Sequence, residues 1–150
     1  MTQPGRYIGV DVGGTKVAVA VLEAGTLTEH DRRPTELGSP EALVDQLATM
    51  IAAAGTADAV GIGVPSIIDF ATGTARSSVN IPLEGVPLRH LLTERLGIPV
   101  YVDNDATLAA LAEAFGDDHV AEVRHLVMFT VGTGVGGGIA IVGVQGHGRG

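Results

Sequence analysis

The chain has 150 residues, 45% of them hydrophobic and 17% charged, which suits a folded domain with a real core and excludes a disordered segment. A net charge of −8 and an aromatic content of 3% argue against a nucleic-acid surface, and the absence of Cys excludes disulfides and Cys-ligated zinc within these residues. No apolar run is long and Gly-free enough to span a bilayer, and Met1 to Arg6 carries no secretory pattern, so the expectation is a cytoplasmic protein without membrane contact.

Residues 7–12 and 16–22 alternate as two strands around the Gly13-Gly14 turn, and Leu27 to Arg33 fits a returning third strand after Gly25. Ser39 is a good helix cap, Pro40 suits the first helical position, and Leu43, Val44, Leu47, Met50, Ile51 and Ala54 follow helical spacing up to Gly55. Asp58 to Pro65 reads as a buried strand broken by Gly61 and Gly63. A glycine inside a strand marks close approach of another backbone or of a ligand. Ile67 to Phe70 and Thr74 to Ser77 form a short hairpin, and Ser77 to Pro87 is irregular and contains Asn80. A helix over Leu88 to Leu96 ends at Gly97, and Val100 to Val102 is a short strand that runs into Asp103-Asn104-Asp105. Leu108, Leu111, Ala112 and Phe115 continue as a helix closed by Gly116. His125 to Val131 is a strand, Gly132 to Gly138 a glycine loop, and Ile139 to Val142 a resumed strand. Antiparallel strands followed by βα units point to an α/β domain with a mixed sheet flanked by helices.

The stretch Asp11 to Lys16 places a carboxylate, two glycines, a hydroxyl and a cation within six residues. Adjacent glycines leave no Cβ between backbone N–H groups and a ligand, and those groups with Thr15 and Lys16 suit phosphate oxygens. Asp11 favours an anion there only through an intervening cation, Mg²⁺ being the usual one. An ordinary hairpin turn is the competing reading. No G-x-x-x-x-G-K-[ST] motif is present, and the G-x-G-x-x-G match at Gly132, Gly134 and Gly137 precedes a strand-like run rather than a helix, which rejects a dinucleotide loop. Asp105 follows a strand in the first turn of a helix, the place where open α/β sheets bind ligands. The positive helix end favours a carboxylate there, and such a group can take the proton of a substrate hydroxyl attacking a γ-phosphoryl group. A plain helix cap is the competing role.

Asp11-x-Gly-Gly-Thr-Lys16, Gly61-x-Gly-x-Pro65, Ser78-Val79-Asn80, Asp103-Asn104-Asp105 with its following Ala-x-Leu-Ala-Ala-Leu-Ala-Glu113, and Thr130 to Gly138 together resemble the ROK family of sugar kinases and related repressors, with bacterial glucokinases the closest type. The resemblance implies an actin-like, ribonuclease-H-like ATPase fold of two lobes, here residues 1–122 as the first and 123–150 as the incomplete start of the second. It implies transfer of the ATP γ-phosphoryl group to a hexose, glucose to glucose 6-phosphate above all. By the same resemblance Asp11 holds hydrated Mg²⁺, while Gly13, Gly14, Thr15 and Lys16 line the phosphates. Gly132, Thr133 and Gly134 form a second phosphate loop. Gly63, Asn80, Asn104 and Asp105 bind the sugar, with Asp105 as general base.

Two departures stand out. Family members carry Gly after the proline of the second motif, where this chain has Ser66. The family's later sugar-binding segment and Cys-rich zinc motif have no counterpart in Gly143 to Gly150, so no family zinc site is expected in these residues and His147 is given no ligand role. The expectation is therefore a truncated form inactive alone, with a homodimer open to a full-length form. The alternatives are a sugar-responsive ROK repressor, disfavoured by the six residues before Tyr7 and the charge of −8, and a non-catalytic remnant.

Overall fold

The computed structural model describes residues 5–115, 123–131 and 135–141. The chain divides into two compact units, Met1–Asp105 and Ala106–Gly150.

In the first unit, β1 (Arg6–Val12), β2 (Lys16–Glu23), β3 (Thr26–Pro34), β4 (Ala59–Val64) and β7 (Val100–Asn104) form one five-stranded sheet in the order β3-β2-β1-β4-β7. β1, β2 and β3 run antiparallel to their sequence neighbours, whereas β4 lies parallel to both β1 and β7. The mixed sheet, flanked by helices, is the α/β, ribonuclease-H-like arrangement that the motifs imply. Alternation decides which face is covered. Ile8, Val10 and Val12, then Val17, Val19 and Val21, then Val60, Ile62 and Val64 with Val100 and Val102, all point into one core. On that core lie Leu43, Leu47, Met50 and Ile51 of α1 (Pro40–Ala53) and Leu88 and Leu92 of α2 (Leu88–Leu96).

Local chemistry sets the element ends. The Ser39 side chain accepts a hydrogen bond from the Ala42 N–H, with Pro40 in the first turn of α1. Gly97 closes α2 in the left-handed conformation, with φ 68°. Ala24 and Gly25, at φ 49° and 77°, form the two-residue turn that matches strand twist between β2 and β3. β5 (Ser66–Asp69) and β6 (Thr74–Ser78) make the separate short hairpin that the sequence suggests.

The second unit holds all of α3 (Asp105–Ala114) but its first residue, and there the helix packs on the antiparallel pair β8 (His125–Val131) and β9 (Val135–Ile141). Here the structure differs from the sequence expectation. Gly136 to Gly138, read as loop, belong to β9 and pair with Thr130 to Met128. The reason is the closeness of α3: a Cβ on Gly138 would stand 2.5 Å from Ala110 Cβ and 2.6 Å from the Ala106 carbonyl oxygen. The glycines are a landing surface for a helix.

Candidate active site

The sheet register assembles one row of residues near the carboxyl ends of the parallel strands. Asp11 pairs with Gly63 and Gly63 with Asp103, while on the other side Asp11 pairs with Ala18 and Ala18 with Arg32. One strand position further along, Val64 pairs with Asn104. Three residues expected at the site, Asp11, Gly63 and Asn104, thus reach the edge where open α/β sheets bind ligands.

The turn after β1 is closed by a hydrogen bond from the Gly13 N–H to the Lys16 carbonyl, 2.8 Å. Neither Gly13 nor Gly14 has a φ in the left-handed region, but a Cβ on Gly13 would stand 3.2 Å from the Lys16 carbonyl oxygen, so space rather than backbone conformation favours glycine there. Thr35, at the end of β3, braces it twice: its N–H donates to the Thr15 carbonyl at 3.0 Å and its Oγ1 to the Gly13 carbonyl at 2.7 Å. Thr15 and Lys16 are exposed. A Cβ on Gly14 would meet Asn80 Cβ at 3.4 Å, so the Asn80 loop lies against the turn. Asn80 also lines a shallow cavity of about 410 Å³ with Leu37, Val79 and Glu84.

Asp11 and Asp105 feel each other. Packing around the Asp11 carboxyl raises its pKa above the usual carboxylate value, the Asp105 carboxylate raises it further, and Lys16 and Arg32 oppose the shift. A divalent cation near Asp11 would relieve that like-charge contact. Asp11 offers one carboxylate there, so an ion held by it would keep most of its water and share it with phosphate, as Mg²⁺ does. The donor set fits hydrated Mg²⁺.

Asn104 Nδ2 donates to the Ser66 carbonyl at 3.2 Å, and the Asn104 N–H donates to Asp103 Oδ1 at 2.7 Å. Gly132, Thr133 and Gly134, the expected second phosphate loop, lie outside the described residues.

Sequence reasoning missed Thr35, Arg32 and the role of Ser66. Arg32 and Thr35 act on Asp11 and its turn only through the β2–β3 pairing. The Ala24-Gly25 turn sets Glu23 opposite Thr26, but a bulge between Val19 and Ala20 shifts the register by one residue before Arg32 meets Ala18, and no local motif points to that shift.

A mixed sheet with a glycine turn on its first hairpin and a carboxylate at the start of a helix is the arrangement of the actin-like, ribonuclease-H-like fold. The ROK family model matches residues 7–150, and the chain belongs to the ROK family. It is 38% identical over 143 residues to an N-acetyl-D-glucosamine kinase of Escherichia coli, covering 91% of this chain and 46% of that protein. It is similar to the ROK family glucokinase of Streptomyces griseus, solved with glucose and AMPPNP, at 34% identity and a TM-score of 0.79, over 91% of this chain and 45% of that one. The ROK hexokinase of Thermus thermophilus matches at 33% identity and a TM-score of 0.74, over 91% and 47%. The chain thus spans about half the length of the relatives it matches.

Proposed function

We propose that the chain is the nucleotide- and sugar-binding lobe of an ATP-dependent hexose kinase, with glucose, converted to glucose 6-phosphate, as the leading substrate. The observation that carries this reading is the register that brings Asp11, Gly63, Asp103 and Asn104 to the carboxyl edge of β1, β4 and β7, beside the turn Gly13 to Lys16. Residues 1–122 form the first lobe and 123–150 begin the second. The working protein is cytoplasmic, and its full-length form is open to dimerisation.

In this reading the backbone of Gly13 and Gly14 with Thr15 and Lys16 takes the phosphates, and Gly132, Thr133 and Gly134 close on them from the second lobe. Gly63, Asn80 and Asn104 orient the sugar. Asp105 accepts the proton of the sugar hydroxyl as its oxygen bonds to the γ-phosphorus, the bond to the β–γ bridging oxygen breaks, and ADP leaves. Mg²⁺, when bound through water at Asp11, neutralises charge on the phosphates.

The test is ADP release coupled to a visible readout, run with glucose, N-acetylglucosamine, mannose and fructose. In the full-length context Asp105→Asn is expected to lower kcat by about 10²- to 10⁴-fold, the range for a positioned base. A full-length Asp105→Asn enzyme with unaltered kcat would remove Asp105 from the reaction. The 150-residue chain itself is expected to show no efficient turnover. The identity to N-acetylglucosamine kinases favours a second substrate reading, which the same panel decides by ranking kcat/KM. A sugar-responsive repressor would bind sugar and release no ADP at any chain length.

A further inference from the structure

Ser66 is 4% exposed and is the buried polar residue of the first unit's core edge. Its Oγ donates to Ser78 Oγ at 2.9 Å, and Ser78 Oγ in turn donates to the Ile81 carbonyl at 2.8 Å. The two bonds span the irregular turn Ser78 to Ile81, which carries Asn80 at its exposed middle. The same Ser66 offers its backbone carbonyl to Asn104 Nδ2 at 3.2 Å. One buried residue therefore holds both asparagines assigned to the sugar, one through its hydroxyl and one through its carbonyl. The hydroxyl is satisfied inside the protein, so Ser66 does not reach a ligand itself. β5 and β6 pair Ser66 with Ser78 directly, which sets the two hydroxyls face to face across the hairpin.

We propose that Ser66 is a positioning residue for hexose binding: the Ser66–Ser78–Ile81 hydroxyl chain presets the Asn80 loop against Asn104, and a side chain without a hydroxyl at position 66 lets that loop drift. The proposal rests on the assignment of Asn80 and Asn104 to the sugar. A chain of two neutral hydrogen bonds is enough to matter, because a buried hydroxyl left without its partner costs more than the bond itself contributes. It also makes a distinction that packing alone would not: the turn Gly13 to Lys16 is braced by Thr35 and meets the Asn80 loop only at van der Waals distance from Gly14, so nucleotide binding should change less than hexose binding.

The experiment compares the 150-residue chain with Ser66→Ala, Ser78→Ala and Ser78→Thr. Side-chain amide signals of Asn80 and Asn104 are followed by NMR with amide exchange over residues 77–82, and glucose, N-acetylglucosamine and Mg²⁺–ATP are titrated in. Expected in both alanine variants are shifted Asn80 and Asn104 signals, exchange across residues 77–82 faster by about three- to tenfold, hexose affinity weaker by a similar factor, and a smaller loss of Mg²⁺–ATP affinity. Ser78→Thr, which keeps the hydroxyl, restores all three. Alanine variants whose asparagine signals and loop exchange match the parent overturn the proposal, and so does an equal loss of hexose and nucleotide affinity, which marks general destabilisation. A parent chain that binds no hexose while the alanine variants still move both asparagines upholds the positioning and sinks the sugar assignment instead.

Discussion

At the scale of single residues, the charge balance around Asp11 gives the sharpest prediction. Asp11 is solvent-exposed as a residue, yet partial desolvation of its carboxyl and the Asp105 charge raise its pKa above the ordinary value of 3.8. Between that value and the raised one the folded chain holds the proton more firmly than the unfolded chain does. Stability therefore falls as pH rises through this window, by a small amount because solvent screens an exposed group. Asp11→Asn is expected to unfold at a higher temperature than the parent at pH 7, with the difference vanishing below pH 3.8, and to bind Mg²⁺–ATP more weakly. Asp105→Asn removes the like charge, so the Asp11 carboxyl should titrate at a lower pH in a carbon-detected NMR titration. An Asp11→Asn chain that melts lower at pH 7, or an Asp11 midpoint indifferent to Asp105, would refute the coupling. Asp11 and Asp105 stand out as candidates in the sequence because a carboxylate beside Gly-Gly and a carboxylate at a helix start each carry a local reason. Thr35, Arg32 and Ser66 do not, because each acts on a partner far away in sequence and its residue type says nothing until the register is known.

At the scale of elements, alternation and capping signals made most of the first unit readable. The valines of β1 and β2 show a period of two, and Ser39-Pro40 starts α1 as expected. Glycine was harder, since its three uses look identical in sequence. Gly25 serves a left-handed turn, with φ 77°. Gly138 admits a helix, and a Cβ on Gly61 would meet nothing within 4 Å. The reading of Gly61 as a point of close approach finds no approaching atom among the described residues. These uses predict opposite effects of one substitution. Gly61→Ala should be tolerated or should stabilise by up to about 1 kcal/mol, since alanine loses less freedom on folding. Gly138→Ala must push α3 away from β9 and should destabilise the second unit by about 1–3 kcal/mol. Denaturant unfolding of the two variants, followed by amide exchange in each unit, checks both; a Gly138→Ala chain with unchanged exchange in β8 and β9 would contradict the packing.

At the scale of the whole molecule, the two units are unequal in what they bury. Met1–Asp105 encloses most of the buried apolar side chains, whereas the hairpin of the second unit covers only the face toward α3. On its other face Val127, Phe129, Val131, Val135, Ile139 and Ile141 are between 62% and 81% exposed, an uninterrupted apolar row on a two-stranded ribbon. A ribbon of that size is marginal in water, and its outer edges invite pairing. The 150-residue chain should therefore self-associate with rising concentration, and amides of β8 and β9 should exchange through local opening well before those of β1 and β4. Val127 and Ile139 sit directly opposite each other, so Val127→Glu with Ile139→Lys replaces an apolar pair by a cross-strand charge pair that preserves some attraction between the strands. The double variant should keep the far-ultraviolet dichroism of the parent and sediment as a monomer at concentrations where the parent does not. Monomeric behaviour of the parent over the same range would show that the row does not drive association. A double variant that still associates would move the sticky surface elsewhere, to the uncovered face of the large sheet that bears Tyr7 and Tyr101, 46% and 56% exposed.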